Sequence, residues 1–307
     1  MKMLALFAGQ GAQFVGMGKD LMDIPQAAAC FTQAQSVLGY DISKICFEGP
    51  DDVLTSSDHC QPAIFVMSAA CFKAFSVKSP QVTFDGCAGL SLGEWTALWA
   101  AGVIDFENTV RILEARGRFM QEACDAAPSG MVSIMSLPPE TVAKIAADCG
   151  LYVSNINSQA QINVSGEKEK LSQAIAAAKA AGGKALPLNV AGAFHSPFMA
   201  PAREKLAAVI ADIPFSKPVI PVFSNASGSL HSDDPEKIKA SMLDQITGTV
   251  RWLDCITASG AKQFVEFGPG KVLSGLVRRI DREAAVANIQ DIASLDGFAA
   301  TDIVNNG

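Results

Sequence analysis

The sequence predicts an α/β protein: a mainly parallel sheet flanked by helices and interrupted by a compact β-α-β-β-α-β insert. Three observations predict it. Short apolar runs alternate with helical patterns, as parallel strands joined by crossover helices require. Residues 130–191 break that alternation, carrying two adjacent strands between two helices. The chain has 307 residues, 49% of them apolar and 18% charged. That is enough for one large core, with charge below the roughly 25% usual in soluble domains.

In chain order, Leu4-Ala5-Leu6-Phe7-Ala8 is a first buried strand; it reaches Gly9-Gln10-Gly11 too soon for a signal-peptide core. Further short buried strands are expected at 82–88, 219–223 and 263–267. The insert begins with a strand at 131–135, then a helix opened by Pro138-Pro139-Glu140 and stopped at Gly150. Strands at 151–156 and 161–165 follow, joined by a polar turn. An Ala-rich helix then runs from about Glu167 to Ala181, and a last strand from Lys184 to Val190. This order is the ferredoxin-like arrangement. It places a discontinuous catalytic domain at 1–126 and 192–307 and the insert at 127–191. The polar, small-residue tail after about 291 is expected to be partly loose.

Composition excludes several classes. A net charge of −7 argues against a general nucleic-acid binder, which needs a basic face. No apolar run reaches the roughly 18 uncharged residues of a membrane span. The eight cysteines are scattered, with neither CxxC nor a Cys/His cluster, so neither zinc-type spacing nor a disulfide framework is expected. The expected protein is globular, reduced and cytoplasmic, without metal or membrane.

Gly89-Leu90-Ser91-Leu92-Gly93 follows an expected strand and precedes a helical run. That is the context of a nucleophile elbow, where a sharp turn presents a serine hydroxyl and glycines relieve crowding. The pattern alone is weak; its placement strengthens it. A serine needs a base, and the chain has only His59, His195 and His231. His231 lies in the polar stretch Ser229-Leu230-His231-Ser232-Asp233-Asp234 and is expected to be solvated. His59 is turn-like. His195, between apolar residues just after the insert, is the favoured base, with a satisfied structural histidine as the alternative.

A capped helix is expected after Asp105. Ile112, Leu113, Phe119 and Met120 form its apolar stripe, and Arg116 falls inside that stripe. Glu107, Arg111, Glu114, Arg118 and Glu122 take the solvated face. An inward arginine needs an anion, because an unpaired buried charge is costly. Two readings stand: an internal salt bridge or snorkelling side chain, or a clamp for a substrate carboxylate. Serine, histidine and arginine together suggest transfer of an acyl group bearing its own carboxylate.

These residues resemble the malonyl-CoA:acyl carrier protein transacylases and the acyltransferase domains of fatty acid and polyketide synthases. The likeness covers nearly the whole chain. It rests on Gly9-Gln10-Gly11-Ala12-Gln13, Gln61-Pro62-Ala63, Gly89-Leu90-Ser91-Leu92-Gly93-Glu94, Arg116-Gly117, Ala193-Phe194-His195-Ser196, Gln245 ahead of Val250-Arg251-Trp252, and Glu266-Phe267-Gly268-Pro269-Gly270. The resemblance implies an α/β-hydrolase-like core with the ferredoxin-like insert, and a ping-pong malonyl transfer. Ser91 would attack malonyl-CoA with His195 as base, Gln245 orienting the histidine, and the backbone N–H groups of Gln10 and Leu92 holding the oxyanion. Arg116 would bind the malonyl carboxylate, with Gln61 also at the substrate. Phe194 resembles the residue of malonyl-selecting members, excluding an α-methyl group.

The acceptor implied is the phosphopantetheine thiol of holo-acyl carrier protein, with no metal or other cofactor, and the enzyme a monomer. Lys184 and Arg278-Arg279 are candidate carrier contacts, with simple solvation as the alternative. Leu90 departs from the histidine common in the family. A serine esterase or thioesterase on the same elbow is the runner-up, although the chain lacks an HGGG oxyanion loop. A non-catalytic carrier-binding protein is the third reading.

Overall fold

A computed structural model of the chain describes residues 2–298. In order the elements are β1 (Met3–Phe7), α1 (Pro25–Leu38), α2 (Ile42–Glu48), α3 (Asp51–Thr55), α4 (Ser57–Lys78), β2 (Gly86–Gly89), α5 (Leu92–Ala100) and α6 (Phe106–Ala126). Next come β3 (Ser129–Met135), α7 (Pro139–Asp148), β4 (Tyr152–Ser158), β5 (Gln161–Glu167), α8 (Lys168–Ala180) and β6 (Lys184–Pro187). The chain continues with α9 (Ala200–Ala211), β7 (Phe223–Ser224), β8 (Ser229–Leu230), α10 (Pro235–Thr247), α11 (Trp252–Ser259), β9 (Gln263–Phe267), α12 (Val272–Ile280), β10 (Ala285–Ile289) and α13 (Ile292–Asp296).

The fold is α/β, and its central sheet runs β10-β9-β1-β2 with every pairing parallel. β1, β2 and β9 are wholly buried, which is why they read as continuous apolar runs instead of alternating ones. Period two still divides β1 between two cores. Met3, Ala5 and Phe7 pack into the large cluster with α4 and α6, whereas Leu4 and Leu6 pack with Trp252, Phe264 and Val277.

Two expected strands are shorter than their apolar runs. Of 82–88 only Gly86 onward pairs, Val82 and Phe84 merely packing against the core. Of 219–223 only Val222 makes a parallel bridge, to Cys87, before Phe223 enters β7. Proline explains the second case: Pro218 and Pro221 carry no N–H for a ladder, and Val219 is 78% exposed. β10 was not expected; its run Ala-Val-Ala-Asn-Ile is short and only half-buried at the sheet edge.

The insert shows the β-α-β-β-α-β order, with all-antiparallel strands in the order β4-β5-β3-β6. It has its own core, including Val132, Ile134, Val142, Ile145, Ile162, Val164 and Leu171. β4 is tied to the main body through Val250, whose N–H donates to Ser154 O (2.9 Å) and whose carbonyl accepts from Ile156 N (2.9 Å).

Helix α4 is long and apolar enough to cross a membrane by length and composition, despite the absence of an 18-residue uncharged run, and 78% of its apolar window is buried in the protein. Burial on all sides makes it a core helix. The tail expected to be loose forms α13 over its first residues, closed by an Asp291–Ser294 capping box. The rest of that tail, from 299, lies outside the described residues.

Candidate active site

Ser91 stands between β2 and α5 with φ +54°, a left-handed conformation that a serine adopts only when its surroundings hold it there. The flanking glycines allow this. A Cβ on Gly89 would enter the backbone of Gly93, and one on Gly93 would enter the Phe7 carbonyl of β1. The elbow therefore presses helix, strand and turn together more closely than any side chain permits.

The expected partners converge on it. Ser91 Oγ lies 2.8 Å from His195 Nε2 and accepts from Arg116 Nη2 at 3.1 Å. His195 Nδ1 is 2.8 Å from the main-chain carbonyl of Gln245. A carbonyl only accepts, so Nδ1 carries the proton and the bare Nε2 faces the serine hydroxyl. Burial pushes the histidine down to about 4, with the Arg116 charge acting the same way against the Gln245 carbonyl. The ring is thus neutral and basic toward Ser91 at ordinary pH. It also sits at positive φ, +56°, ahead of a short turn capped by Ser196.

Arg116 is 1% exposed, as its place in the apolar stripe predicts. Its contacts are not the anion that charge alone leads one to expect. Nη1 donates to Gln61 Oε1 (2.7 Å) and Nη2 to Gln245 Oε1 (3.1 Å), while Nε has no partner. Burial lowers its pKa to about 10, the Glu94 charge opposing the shift. Gly117 lets α6 lie directly on the start of α4, because a Cβ there would enter the Ser57 carbonyl. That contact brings Gln61, from α4, to the guanidinium.

Gln245 does more than face the histidine. Its side-chain Nε2 donates to Ser91 O (2.8 Å) and to Glu94 Oε2 (2.6 Å). Gln61 has no exposed surface and supports Arg116 from behind instead of lining the cavity. The cavity in front of Ser91, about 120 Å³, is lined by Gln10, Leu90, Phe194, His195, Met120 and Met131, among others. Leu90 thus stands at the cavity wall beside Ser91. Among the described residues, no protein group accepts from the backbone N–H of Gln10 or of Leu92, the first residue of α5. Asn155, Asn157 and Asn163 of the insert also line the cavity, each with Oδ1 unpartnered. Lys184, Arg278 and Arg279 are exposed; Arg278 bonds Val286 O and Arg279 the Gln161 side chain.

Four residues were missed or misplaced from the sequence. Asn225 accepts from Ser91 N (2.6 Å) and donates to Gly89 O (2.9 Å), pinning both sides of the elbow. Glu94 is wholly buried under Gln245. His231, expected to be a solvated loop residue, has a side chain only 1% exposed, with Nε2 2.6 Å from Glu94 Oε1. The turn at 225–228, between β7 and β8, folds it back under the elbow, and local polarity cannot report that. His59, read as a turn residue, instead lies in the first turn of α4, against Ser56, Asp58 and the Tyr40 ring. All eight cysteines are free. Among the described residues no group of His, Cys, Asp and Glu could hold a metal ion.

An elbow serine, a neutral histidine and a buried guanidinium meet on one hydroxyl, an arrangement suited to acyl-group transfer. The chain belongs to the acyl transferase domain family, which matches its residues 5–294. It is 36% identical over 305 residues to the malonyl CoA-acyl carrier protein transacylase of Bacillus subtilis, covering 96% of this chain and 95% of that protein. The crystal structure of the transacylase from Clostridium perfringens superposes with a TM-score of 0.92 at 36% identity, over 96% of this chain and 95% of that one. A malonyl-transacylase in complex with a type II polyketide acyl-carrier protein gives 0.91 at 35% identity, over 99% of this chain and 100% of that one.

Proposed function

We propose that the protein transfers a malonyl group from malonyl-CoA to the phosphopantetheine thiol of acyl carrier protein through a malonyl-Ser91 intermediate. One observation carries this: a single hydroxyl meets both a neutral imidazole at 2.8 Å and a buried guanidinium at 3.1 Å. His195 takes the Ser91 proton as Oγ attacks the thioester carbonyl, then returns it to the departing CoA thiol. The N–H groups of Gln10 and Leu92 receive the oxyanion, at the positive end of α5. Arg116, which meets only neutral oxygens and has a free Nε, binds the malonyl carboxylate. Gln245 orients His195 through its main-chain carbonyl and Arg116 through its amide; Gln61 holds the other face of the guanidinium. Phe194 narrows the cavity against an α-methyl group.

The carrier thiol then attacks malonyl-Ser91, with His195 as base again. The thioester is conserved across the reaction, so neither metal nor other cofactor is required. A second cavity of about 540 Å³ shares Gln10 and Val190 with the first and offers a path for the pantetheine arm. The architecture is an α/β-hydrolase-like catalytic domain, 1–126 and 192–307, with a ferredoxin-like insert at 127–191 whose Asn155, Asn157 and Asn163 complete the cavity. The enzyme acts as a cytoplasmic monomer, with no nucleic-acid or membrane partner. Fatty acid synthesis supplies the carrier; the likeness to a transacylase seated on a polyketide carrier favours that carrier class as the alternative.

Incubation with malonyl-CoA is expected to add a malonyl group to Ser91, removed as malonyl-carrier on addition of holo-acyl carrier protein. Release of free malonate with no transfer would establish the thioesterase reading instead.

A further inference from the structure

Behind the reacting groups lies a continuous buried chain, and its last member is a residue that no motif of the sequence marks. Arg116 Nη2 donates to Gln245 Oε1 (3.1 Å), Gln245 Nε2 donates to Glu94 Oε2 (2.6 Å), and Glu94 Oε1 lies 2.6 Å from His231 Nε2. The amide of Gln245 therefore stands between a buried cation and a buried carboxylate, each meeting the end it prefers. Its oxygen points at the guanidinium and its NH2 at the carboxylate and at Ser91 O. A reversed amide would turn NH2 on Arg116 and oxygen on Glu94, two repulsive contacts in a site that excludes water.

Glu94 enforces this orientation only while its carboxylate is held, and the group holding its other oxygen is His231. The two side chains are 1% and 0% exposed, so water does not compete for the contact. His231 is itself fixed by main-chain geometry: its N–H donates to Val222 O (2.8 Å) just after the β7–β8 hairpin. That same hairpin carries Asn225, which holds Ser91 N and Gly89 O. One short hairpin thus grips the elbow at its backbone through Asn225 and at the first turn of α5 through His231.

We propose that His231 is a positioning residue of the transfer reaction: by donating from Nε2 to Glu94 it fixes the Gln245 amide, and so aims Arg116 at the malonyl carboxylate. This rests on the malonyl-transfer reading above. The ring touches neither substrate nor reacting atoms and acts only through Glu94 and Gln245.

The test compares His231→Leu, which has no donor, with His231→Gln, whose amide keeps one, against the wild type. Malonyl transfer from malonyl-CoA and acetyl transfer from acetyl-CoA are measured for each. His231→Leu is expected to lose about tenfold in kcat/KM for malonyl and less than threefold for acetyl, which has no carboxylate for Arg116. His231→Gln is expected to recover most of the malonyl loss. Equal losses for both acyl groups, an unchanged malonyl rate, or no recovery in His231→Gln would each overturn the proposal. If His231→Leu does not fold, 15N NMR of the wild type decides: the proposal requires the Nε2-protonated form at His231, and a bare Nε2 overturns it. A wild type without malonyl transfer overturns both this proposal and the functional reading. An active wild type with unaffected variants overturns this proposal alone.

Discussion

In the proposed reaction Arg116 is the residue on which the choice of substrate depends, and replacing it with methionine separates its cost to the fold from its use in the reaction. In the folded chain its charge is buried without an ion pair, and its pKa falls from the ordinary guanidinium range to about 10. That displacement corresponds to about 3 kcal/mol against the folded state at neutral pH. The sign follows from the group: a cation with a lowered pKa is penalised wherever it stays protonated in the fold, and the penalty fades only as pH rises through about 10. Methionine removes the penalty and fills most of the volume. It also strips the donors from Gln61 Oε1 and Gln245 Oε1, each left unsatisfied at about 1–3 kcal/mol. The two sums nearly cancel, so Arg116→Met is expected to unfold within about 2 kcal/mol of the wild type in urea.

Activity is expected to behave differently. A malonyl carboxylate deprived of the Arg116 cation in this buried site loses about 3–5 kcal/mol, a fall on the order of 10²- to 10⁴-fold in kcat/KM. Acetyl transfer loses only the 3.1 Å hydrogen bond from Nη2 to Ser91 Oγ, about 1 kcal/mol or roughly fivefold. The assay is single-turnover acylation of Ser91 by malonyl-CoA and by acetyl-CoA, with urea denaturation in parallel. Equal factors for the two acyl groups would refute the carboxylate role. A destabilisation well beyond about 2 kcal/mol would refute the balance between the buried charge and its two amides.

Because burial holds His195 at about 4, kcat/KM for acylation is expected to stay level down to about pH 5 and to fall with a midpoint near 4; a midpoint near 6.5 would mean a solvated ring. The same shift makes the fold lose about 3 kcal/mol as pH drops from the unfolded histidine value through about 4, because the unfolded state binds the proton first; acid titration of the His195→Gln variant should show a shallower loss. Phe194→Ser is expected to raise the methylmalonyl-to-malonyl kcat/KM ratio about 10- to 100-fold, read by competition between the two thioesters. Asn225→Ala leaves Ser91 N–H and Gly89 C=O without partners and is expected to destabilise by about 2–4 kcal/mol in urea while lowering acylation for both acyl groups.

Much of the site was legible because its signals are local. Gly89, Ser91 and Gly93 sit between strand and helix within five residues, and the position of Arg116 follows from helix period alone. The insert was legible for the same reason, its elements following one another with prolines and glycines marking their ends. What escaped was set by contacts across the chain. Asn225 meets the elbow 134 residues away, and His231 meets Glu94 across 137. Nothing within ten residues of either marks it. Arg116 illustrates a second limit: of the two partners open to a buried guanidinium, the protein supplies no salt bridge but two uncharged amides, with Glu94 behind Gln245, and helix period cannot report which. Edge strands form a third case, since β10 carries little of the apolar signal that buried strands show.

The strain at Ser91 and the long-range contacts belong to one device. A serine at φ +54° is unfavourable by about 1–3 kcal/mol and persists only where its neighbours over-determine it. Here the over-determination is visible. The Gly89 and Gly93 contacts fix the turn from the strand side, Asn225 ties the Ser91 N–H and the Gly89 carbonyl, and Gln245 holds the Ser91 carbonyl. The hydroxyl is then the one polar group of Ser91 left free for the proposed reaction, already placed between the His195 imidazole and the Arg116 guanidinium. A nucleophile held this way spends no conformational change on reaching the thioester carbonyl, and both half-reactions meet the same geometry. That suits a chemistry in which one serine must receive and release the same acyl group with a thiol on either side. It also explains why the supports come from β1, α5, β7–β8 and α10 together: no single segment could hold the strained turn against relaxation.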